Sequence, residues 1–193
     1  MPIQIGQRVD HGFDEPLGLL SDCHRRIEHF LRVLATVATD AAGGPLSASY
    51  RSALEGAVRY FAVAAPRHTA DEEVSLFPRL RNSTDPAVTD ALAAIDRLEH
   101  DHDEAETHHA AVDDVVRRWL ADDRLLPVDL EQLQRRLTRL QSLYREHIRI
   151  EDEQVFPAAA NTLDRAQIAQ IGSEMAERRN VHVTAAIKGE HDV

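Results

Sequence analysis

The sequence predicts an all-α protein: an antiparallel, up-and-down bundle of four long helices with a short additional helix near the C-terminus. The 193 residues are rich in alanine, leucine, arginine and glutamate, and aromatic residues make up only 5% of them. This composition favours helices over sheets, which draw on β-branched and aromatic side chains. Four long segments repeat apolar residues every three or four positions, and the connections between them are short.

The first two helices have clear sequence boundaries. Asp14 caps the first helix, which ends before the Ala-Ala-Gly-Gly-Pro turn at residues 41–45. The second runs from about Ser47 to Leu76, with a kink at Pro66 and a stop at Pro78. The apolar stripe of the first helix consists of Leu17, Leu20, Ile27, Leu31 and Leu34, and His24 continues the same spacing.

The remaining helices follow the same rules. The third is capped by Asp85 with a proline in its first turn and continues to about Asp123, and the fourth extends from about Asp129 to Pro157. A shorter helix is expected at 164–179, followed by a loosely ordered tail after Asn180. We therefore divide the chain into a bundle over residues 14–157 and a C-terminal helix with its tail, residues 158–193, packing on that bundle.

Composition excludes several classes of partner. The formal net charge of −11 opposes nucleic-acid binding. No segment approaches the roughly 20 apolar residues of a membrane span, and the N-terminus lacks the pattern of a signal peptide, so we expect a soluble, cytoplasmic protein. The single cysteine, Cys23, cannot form an internal disulfide, and we interpret it as a buried apolar residue. Eleven histidines are many for this length.

An internal repeat organises these histidines. Residues 68–78, HTADEEVSLFP, match residues 147–157, HIRIEDEQVFP, at a histidine, a glutamate four residues later, an acidic residue, a phenylalanine and a proline. The repeat predicts two related helical hairpins, in which His24 of the first helix has a counterpart in the third. His102 stands at the expected place.

The pairs His68 with Glu72 and His147 with Glu151 predict a metal site. Residues four apart lie on one helix face, so each pair offers an imidazole and a carboxylate to a common centre, and a carboxylate on an apolar face is costly without a cation. On the third helix, His102 shares the apolar frame of its neighbours, whereas His100 lies about 200° around the helix and faces solvent.

Glu106 forms a third pair with His102. The predicted ligand set is therefore His24, His68, Glu72, His102, Glu106, His147 and Glu151. Seven ligands exceed one tetrahedral zinc site and suit two ions with five or six ligands each, with iron, manganese and zinc all compatible. His109, one turn further along the stripe, is either a partner of a ligand or a packing residue, and Tyr144 either contacts a bound ligand or packs in the core.

This pattern resembles the hemerythrin and HHE cation-binding domains, over about residues 14–157. The resemblance implies a centre of two non-haem irons with an oxo or hydroxo bridge, with manganese or zinc as less favoured alternatives. Oxygen-carrying members are expected to have HxxxH on the third helix and HxxxxD on the fourth, whereas this chain has HxxxE in both. The resemblance thus favours bacterial relatives linked to peroxide, nitric oxide or iron handling over oxygen carriers.

Three functions follow as hypotheses. The first is a di-iron protein that senses, binds or detoxifies O2, peroxide or nitric oxide; catalytic turnover is left open. The second is a module in which the metal is purely structural and the acidic surface binds a protein partner. The third is an iron store or chaperone. A ferritin-like carboxylate site is disfavoured because it needs ExxH on two helices, and here both such pairs, Glu99 with His102 and Glu106 with His109, lie on the third.

Overall fold

Residues 10–181 are described by a computed structural model, and this part of the chain contains helices and no strand. The elements are α1 (Pro16–Asp40), α2 (Ala48–Ala70), a π-helical turn (Asp71–Leu76), α3 (Phe77–Arg81), a 3-10 turn (Pro86–Val88), α4 (Thr89–Asp122), α5 (Pro127–Ile150), a second π-helical turn (Glu151–Val155), α6 (Phe156–Thr162) and α7 (Arg165–Arg178). The prediction of an all-α fold is confirmed.

The four long helices contact one another in a closed ring. α1 packs against α2 and α5, and α4 packs against the same two helices. Their apolar stripes form two separate core clusters. One cluster contains the middle of α1 and α2, the C-terminal half of α4 and most of α5. The other cluster contains the start of α1, the N-terminal half of α4 and the segments that follow both π turns.

The two apolar clusters enclose a polar layer. Along α1, His24 lies between Leu20 of one cluster and Ile27 of the other, and along α4, His102 lies between Leu98 and Ala105. The histidines of α2 and α5 occupy the same level. Burial of hydrocarbon on both sides therefore fixes the height of four imidazoles within the bundle.

The two π turns occupy equivalent positions in the repeat. The Phe77 N–H donates to the Glu72 carbonyl and the Phe156 N–H donates to the Glu151 carbonyl, which is a spacing of five residues in each case. The next residue is proline in both segments and has no N–H to donate. The sequence predicted uninterrupted α-helix here; the structure instead widens one turn, a feature that is frequent at functional sites.

Pro78 and Pro157 do not end their helices, so the predicted stops are wrong. α3 begins at Phe77 and α6 at Phe156, so each proline occupies the first turn of a new helix. Proline is tolerated there because the first N–H groups of a helix have no partner within it. α2 likewise continues through Pro66.

The predicted cap at Asp14 is wrong, because Glu15 is the N-cap residue of α1 and this helix has no side-chain cap. The predicted starts at Asp85 and Asp164 are confirmed. The Asp85 carboxylate accepts a hydrogen bond from the Ala87 N–H ahead of α4. Asp164 caps α7, accepting from the Gln167 N–H, while the Gln167 side chain accepts from the Asp164 N–H. Within residues 10–181 no helix is long and apolar enough to cross a membrane. Most of the predicted tail, with His182 and His191, lies outside the described residues.

The C-terminal helix α7 docks beside the first π turn. Asp71 is fully buried and accepts hydrogen bonds from Arg178 at 2.7 Å and from Arg179 at 2.6 Å. On the same helix, a β-carbon added at Gly172 would lie 1.9 Å from the carbonyl oxygen of Phe13. Only glycine allows the N-terminal segment to approach α7 this closely.

Two glycine-to-alanine substitutions test this packing. Gly172→Ala should destabilise the protein by about 2–3 kcal/mol because the segment around Phe13 or the helix must move. Gly56→Ala, in the interior of α2 with no atom within 4 Å of the added carbon, should stabilise it by about 0.5–1 kcal/mol. Urea unfolding measures both; equal effects of the two substitutions would contradict the close approach.

Candidate metal centre

Six of the seven predicted site residues converge inside the polar layer. They are His24 on α1, His68 on α2, Glu72 in the first π turn, His102 on α4, His147 on α5 and Glu151 in the second π turn. All six are buried, with His102 the most exposed at 8%. Each long helix contributes one imidazole, and the two π turns contribute the carboxylates.

Glu72 faces imidazoles on both sides. Its Oε1 lies 3.4 Å from Nε2 of His68 and 3.8 Å from Nε2 of His24, and its Oε2 lies 3.4 Å from Nε2 of His102. One oxygen therefore faces His24 and His68, and the other faces His102. This is the arrangement required of a carboxylate that bridges two ions.

Glu151 occupies the opposite side of the layer. Its Oε2 lies 3.0 Å from Nε2 of His24 and 3.1 Å from Nε2 of His147. Nε2 of His102 lies 3.1 Å from Nε2 of His147. Two ligands about 2.1 Å from one ion and at right angles to each other are about 3 Å apart, so these separations suit neighbouring ligands.

The six side chains form two overlapping groups. His24, His68, Glu72 and Glu151 place one ligand atom each within 4.8 Å of one another, and so do Glu72, His102, His147 and Glu151. Both groups contain the same two carboxylates. The residues thus offer two adjacent positions for cations, each with two imidazoles and a share in both glutamates.

Five of the inward-facing ligand atoms lack hydrogen-bond partners within residues 10–181. Both oxygens of Glu72, both oxygens of Glu151 and Nε2 of His24 are buried without one. Nε2 of His24 is close to Oε2 of Glu151, but the two groups are not aligned as donor and acceptor. Leaving buried carboxylates in this state costs several kcal/mol each in free energy. Cations at the centre would satisfy all these atoms, so the residues fit a metal.

Burial and charge act in opposite directions on the pKa values of this layer. Burial alone would lower the pKa of His147, but the Glu151 carboxylate raises it to about 10. Burial likewise opposes protonation of His24, yet Asp152, Glu151 and Glu72 raise its pKa well above the usual value. His68 differs, because burial outweighs Glu72 and lowers its pKa to about 4. Without a cation, protons on imidazoles balance the two carboxylates.

A second set of carboxylates hydrogen-bonds the outer nitrogens of the histidines. Oε1 of Glu73 lies 2.8 Å from Nδ1 of His102, and Oδ1 of Asp152 lies 3.2 Å from Nδ1 of His24. Each acceptor holds the Nδ1 proton and leaves Nε2 free to bind a metal. The contacts cross between the repeats, since Glu73 of the first segment holds a histidine of the second half and Asp152 does the reverse.

Glu73 and Asp152 were not among the predicted site residues. The internal repeat could have identified them, because Glu73 and Asp152 occupy its matched acidic position. Asp101 also lies near this layer, with Oδ2 3.6 Å from Nδ1 of His147.

Glu106 is not part of the cluster. It is exposed on α4 and belongs to neither group of converging ligands. A residue four positions after His102 is rotated about 40° around an α-helix, and here that rotation directs Glu106 toward the cleft between α2 and α4. The structure therefore corrects the predicted third histidine–glutamate pair.

His109 and Tyr144 form a separate contact beside the centre. Nε2 of His109 and the Tyr144 hydroxyl are 3.1 Å apart, and the His109 ring stacks on Phe61 with a centroid distance of 4.2 Å. Cys23 is buried and free, and His100 is exposed. None of these residues belongs to the two groups of potential ligands.

Comparison with known proteins agrees with this arrangement. The sequence matches the hemerythrin HHE cation binding domain over residues 15–159. It is also 25% identical over 169 residues to an uncharacterized protein of Haemophilus influenzae, covering 88% of this chain and 92% of that protein. The range matched by the family model, residues 15–159, includes the positions of all four converging histidines and both buried glutamates. The chain belongs to the hemerythrin HHE cation-binding domain family.

Proposed function

We propose that this protein binds two non-haem iron ions and uses them to sense, bind or detoxify O2, peroxide or nitric oxide. The observation that carries the proposal is the pair of fully buried carboxylates, Glu72 and Glu151, shared between two sets of imidazoles. Because the two acids are shared between both sets of imidazoles, this arrangement supports two adjacent cations better than a single cation. The choice of iron rests on the family resemblance, because the mixed ligand set also suits manganese and zinc.

The residues have distinct roles in this proposal. His24 and His68 would hold one ion, His102 and His147 would hold the other, and both glutamates would contribute to each. A pair of irons supplies one-electron redox chemistry and coordination positions for a small ligand. The chain provides four protein ligands at each position, which leaves room for such a ligand on an ion of five or six coordination.

The surrounding protein controls water and ligand orientation. The apolar clusters above and below the layer exclude bulk solvent, and Glu73 and Asp152 fix the rings of His102 and His24. Both bridging acids and all four imidazoles are held on helices rather than on mobile loops. We also propose that the four long helices run up and down in antiparallel order, which their closed ring of contacts and short connections support.

Metal content distinguishes bridging glutamates from other acidic residues. Purified protein should contain about two irons per chain, and Glu72→Ala or Glu151→Ala should remove most of them because each substitution takes a ligand from both positions. Glu106→Ala is the matched control: it has the same spacing from a histidine but is exposed, and it should keep full metal. Circular dichroism checks that the helices persist. Full iron in the Glu72→Ala variant would remove that residue from the centre.

The outer carboxylates should influence metal affinity through the histidines that they hold. Glu73→Ala and Asp152→Ala should each weaken metal binding by about 10- to 100-fold. Glu153→Ala, an exposed neighbour of Asp152 that pairs with Arg149, serves as control and should leave affinity unchanged. Competition with a chelator of known affinity measures the change. Equal affinities for all three variants would show that the hydrogen bonds to Nδ1 do not support the ligands.

Absorption spectra test the redox function against a structural one. Iron-loaded protein should absorb in the near ultraviolet, and its spectrum should change on addition of peroxide or nitric oxide, because coordination positions remain for a ligand. A colourless protein with tightly bound zinc would support a structural role in its place. Iron that leaves readily to a chelator without unfolding would support storage or delivery.

A further inference from the structure

A cleft between α2 and α4 connects the surface with the candidate metal centre. Its volume is about 210 Å3, and its lining includes the ring of His102 together with Tyr144 of α5. His102 is also the most exposed of the four converging histidines, at 8% compared with 1–3% for the others. The cleft therefore reaches the one imidazole that is incompletely covered by the bundle.

Apolar and aromatic residues of α2 and α4 line much of the cleft. Phe61, Ala65 and Pro66 of α2 form one side, and Ala105 and His109 of α4 form the other. The stacked rings of Phe61 and His109 also border an adjoining cavity of about 240 Å3. Burial lowers the pKa of His109 to about 4, so this ring is neutral at physiological pH. The passage suits molecules of a few atoms.

Three carboxylates line the same cleft. They belong to Glu73, Asp103 and Glu106, and within residues 10–181 no arginine or lysine lines the cleft with them. Asp103 and Glu106 are exposed, and neither side chain forms an ion pair in the described part of the chain. Arg117 borders the adjoining cavity, but its guanidinium is paired with Asp113 at 2.6 Å. The passage thus carries uncompensated negative charge.

We propose that this cleft is the entrance for small ligands to the metal centre and that its carboxylates admit uncharged molecules while repelling anions. The inference rests on the proposed function, because the ligand it admits is the one that binds the metal. Uncompensated negative charge along a passage lowers the local concentration of anions and their rate of entry. Diatomic gases and hydrogen peroxide carry no charge and are unaffected. Glu106 accordingly influences which molecules reach the centre.

Fluorescence quenching tests the charge selectivity without any metal. Trp119 is the one tryptophan of the sequence and is fully buried, with its Nε1 donating to the Gly44 carbonyl. A Phe61→Trp variant therefore places a fluorescent reporter in the cleft wall against a shielded background. Uncharged acrylamide should quench this tryptophan well, and iodide should quench it poorly. Equal quenching by both would overturn the proposal.

Neutralising the carboxylates should remove the selectivity. In the Phe61→Trp protein, Asp103→Asn with Glu106→Gln should raise the iodide quenching constant about threefold at about 0.1 M ionic strength and leave acrylamide unchanged. Asp90→Asn with Asp122→Asn is the matched control, since it changes net charge equally on exposed ends of α4. If the control pair has the same effect as the cleft pair, net charge alone is responsible and the proposal fails.

Ligand association with the iron-loaded protein provides the second readout. With Phe61 retained, the double substitution Asp103→Asn with Glu106→Gln should accelerate azide binding about three- to tenfold in stopped-flow measurements. The association rate of nitric oxide should stay unchanged. Unchanged azide rates would overturn the cleft as the route to the centre. Failure of the proposed function can be told apart from failure of this inference, because the quenching experiment needs no iron. A protein that binds no iron would refute the proposed function, and its difference between iodide and acrylamide quenching would still test the cleft.

Discussion

The structure depends on the compensation of two carboxylates buried at the centre of a helical bundle. Glu72 and Glu151 are fully excluded from solvent, and none of their oxygens has a hydrogen-bond partner among residues 10–181. Four imidazoles surround them, supplying positive charge when protonated and metal ligands when neutral. The pKa values of His24 and His147 are raised because the acids lie so close. Protons and the proposed cations would therefore compete for the same layer, which would couple metal affinity to pH.

The bundle builds this layer by duplication. Each half contributes a histidine from its first helix, a histidine–glutamate pair from its second and a π turn that begins at or just before the glutamate. The acidic residue after each glutamate then hydrogen-bonds the first histidine of the other half, Glu73 to His102 and Asp152 to His24. Neither half completes its own site. The halves are thus held together by the same contacts that orient the ligands.

Differences between the halves give the centre its asymmetry. Nδ1 of His147 lies 3.6 Å from Oδ2 of Asp101, whereas Nδ1 of its counterpart His68 has no such carboxylate contact within the described residues. The first π turn is buried against α7 through Asp71, and the equivalent position in the second half is Ile150. The cleft opens on the side of His102, with Glu106 on its wall. In the proposed route of entry, a ligand would meet the position beside His102 first.

The sequence by itself determined the all-α class, the helix cap at Asp85, the start of the last helix at Asp164 and which histidine of α4 faces inward. All of these depend on periodicity or on contacts between residues close in the chain. Only the tertiary structure decided the position of Glu106, the pairing of Glu73 with His102 and the π turns. Glu106 is rotated by only about 40° around α4 from the inward-facing His102. The position of the neighbouring helix α2 therefore decides whether Glu106 faces the centre or the cleft. Hydrogen bonds between residues 29 or 128 positions apart likewise exist only once the helices have packed.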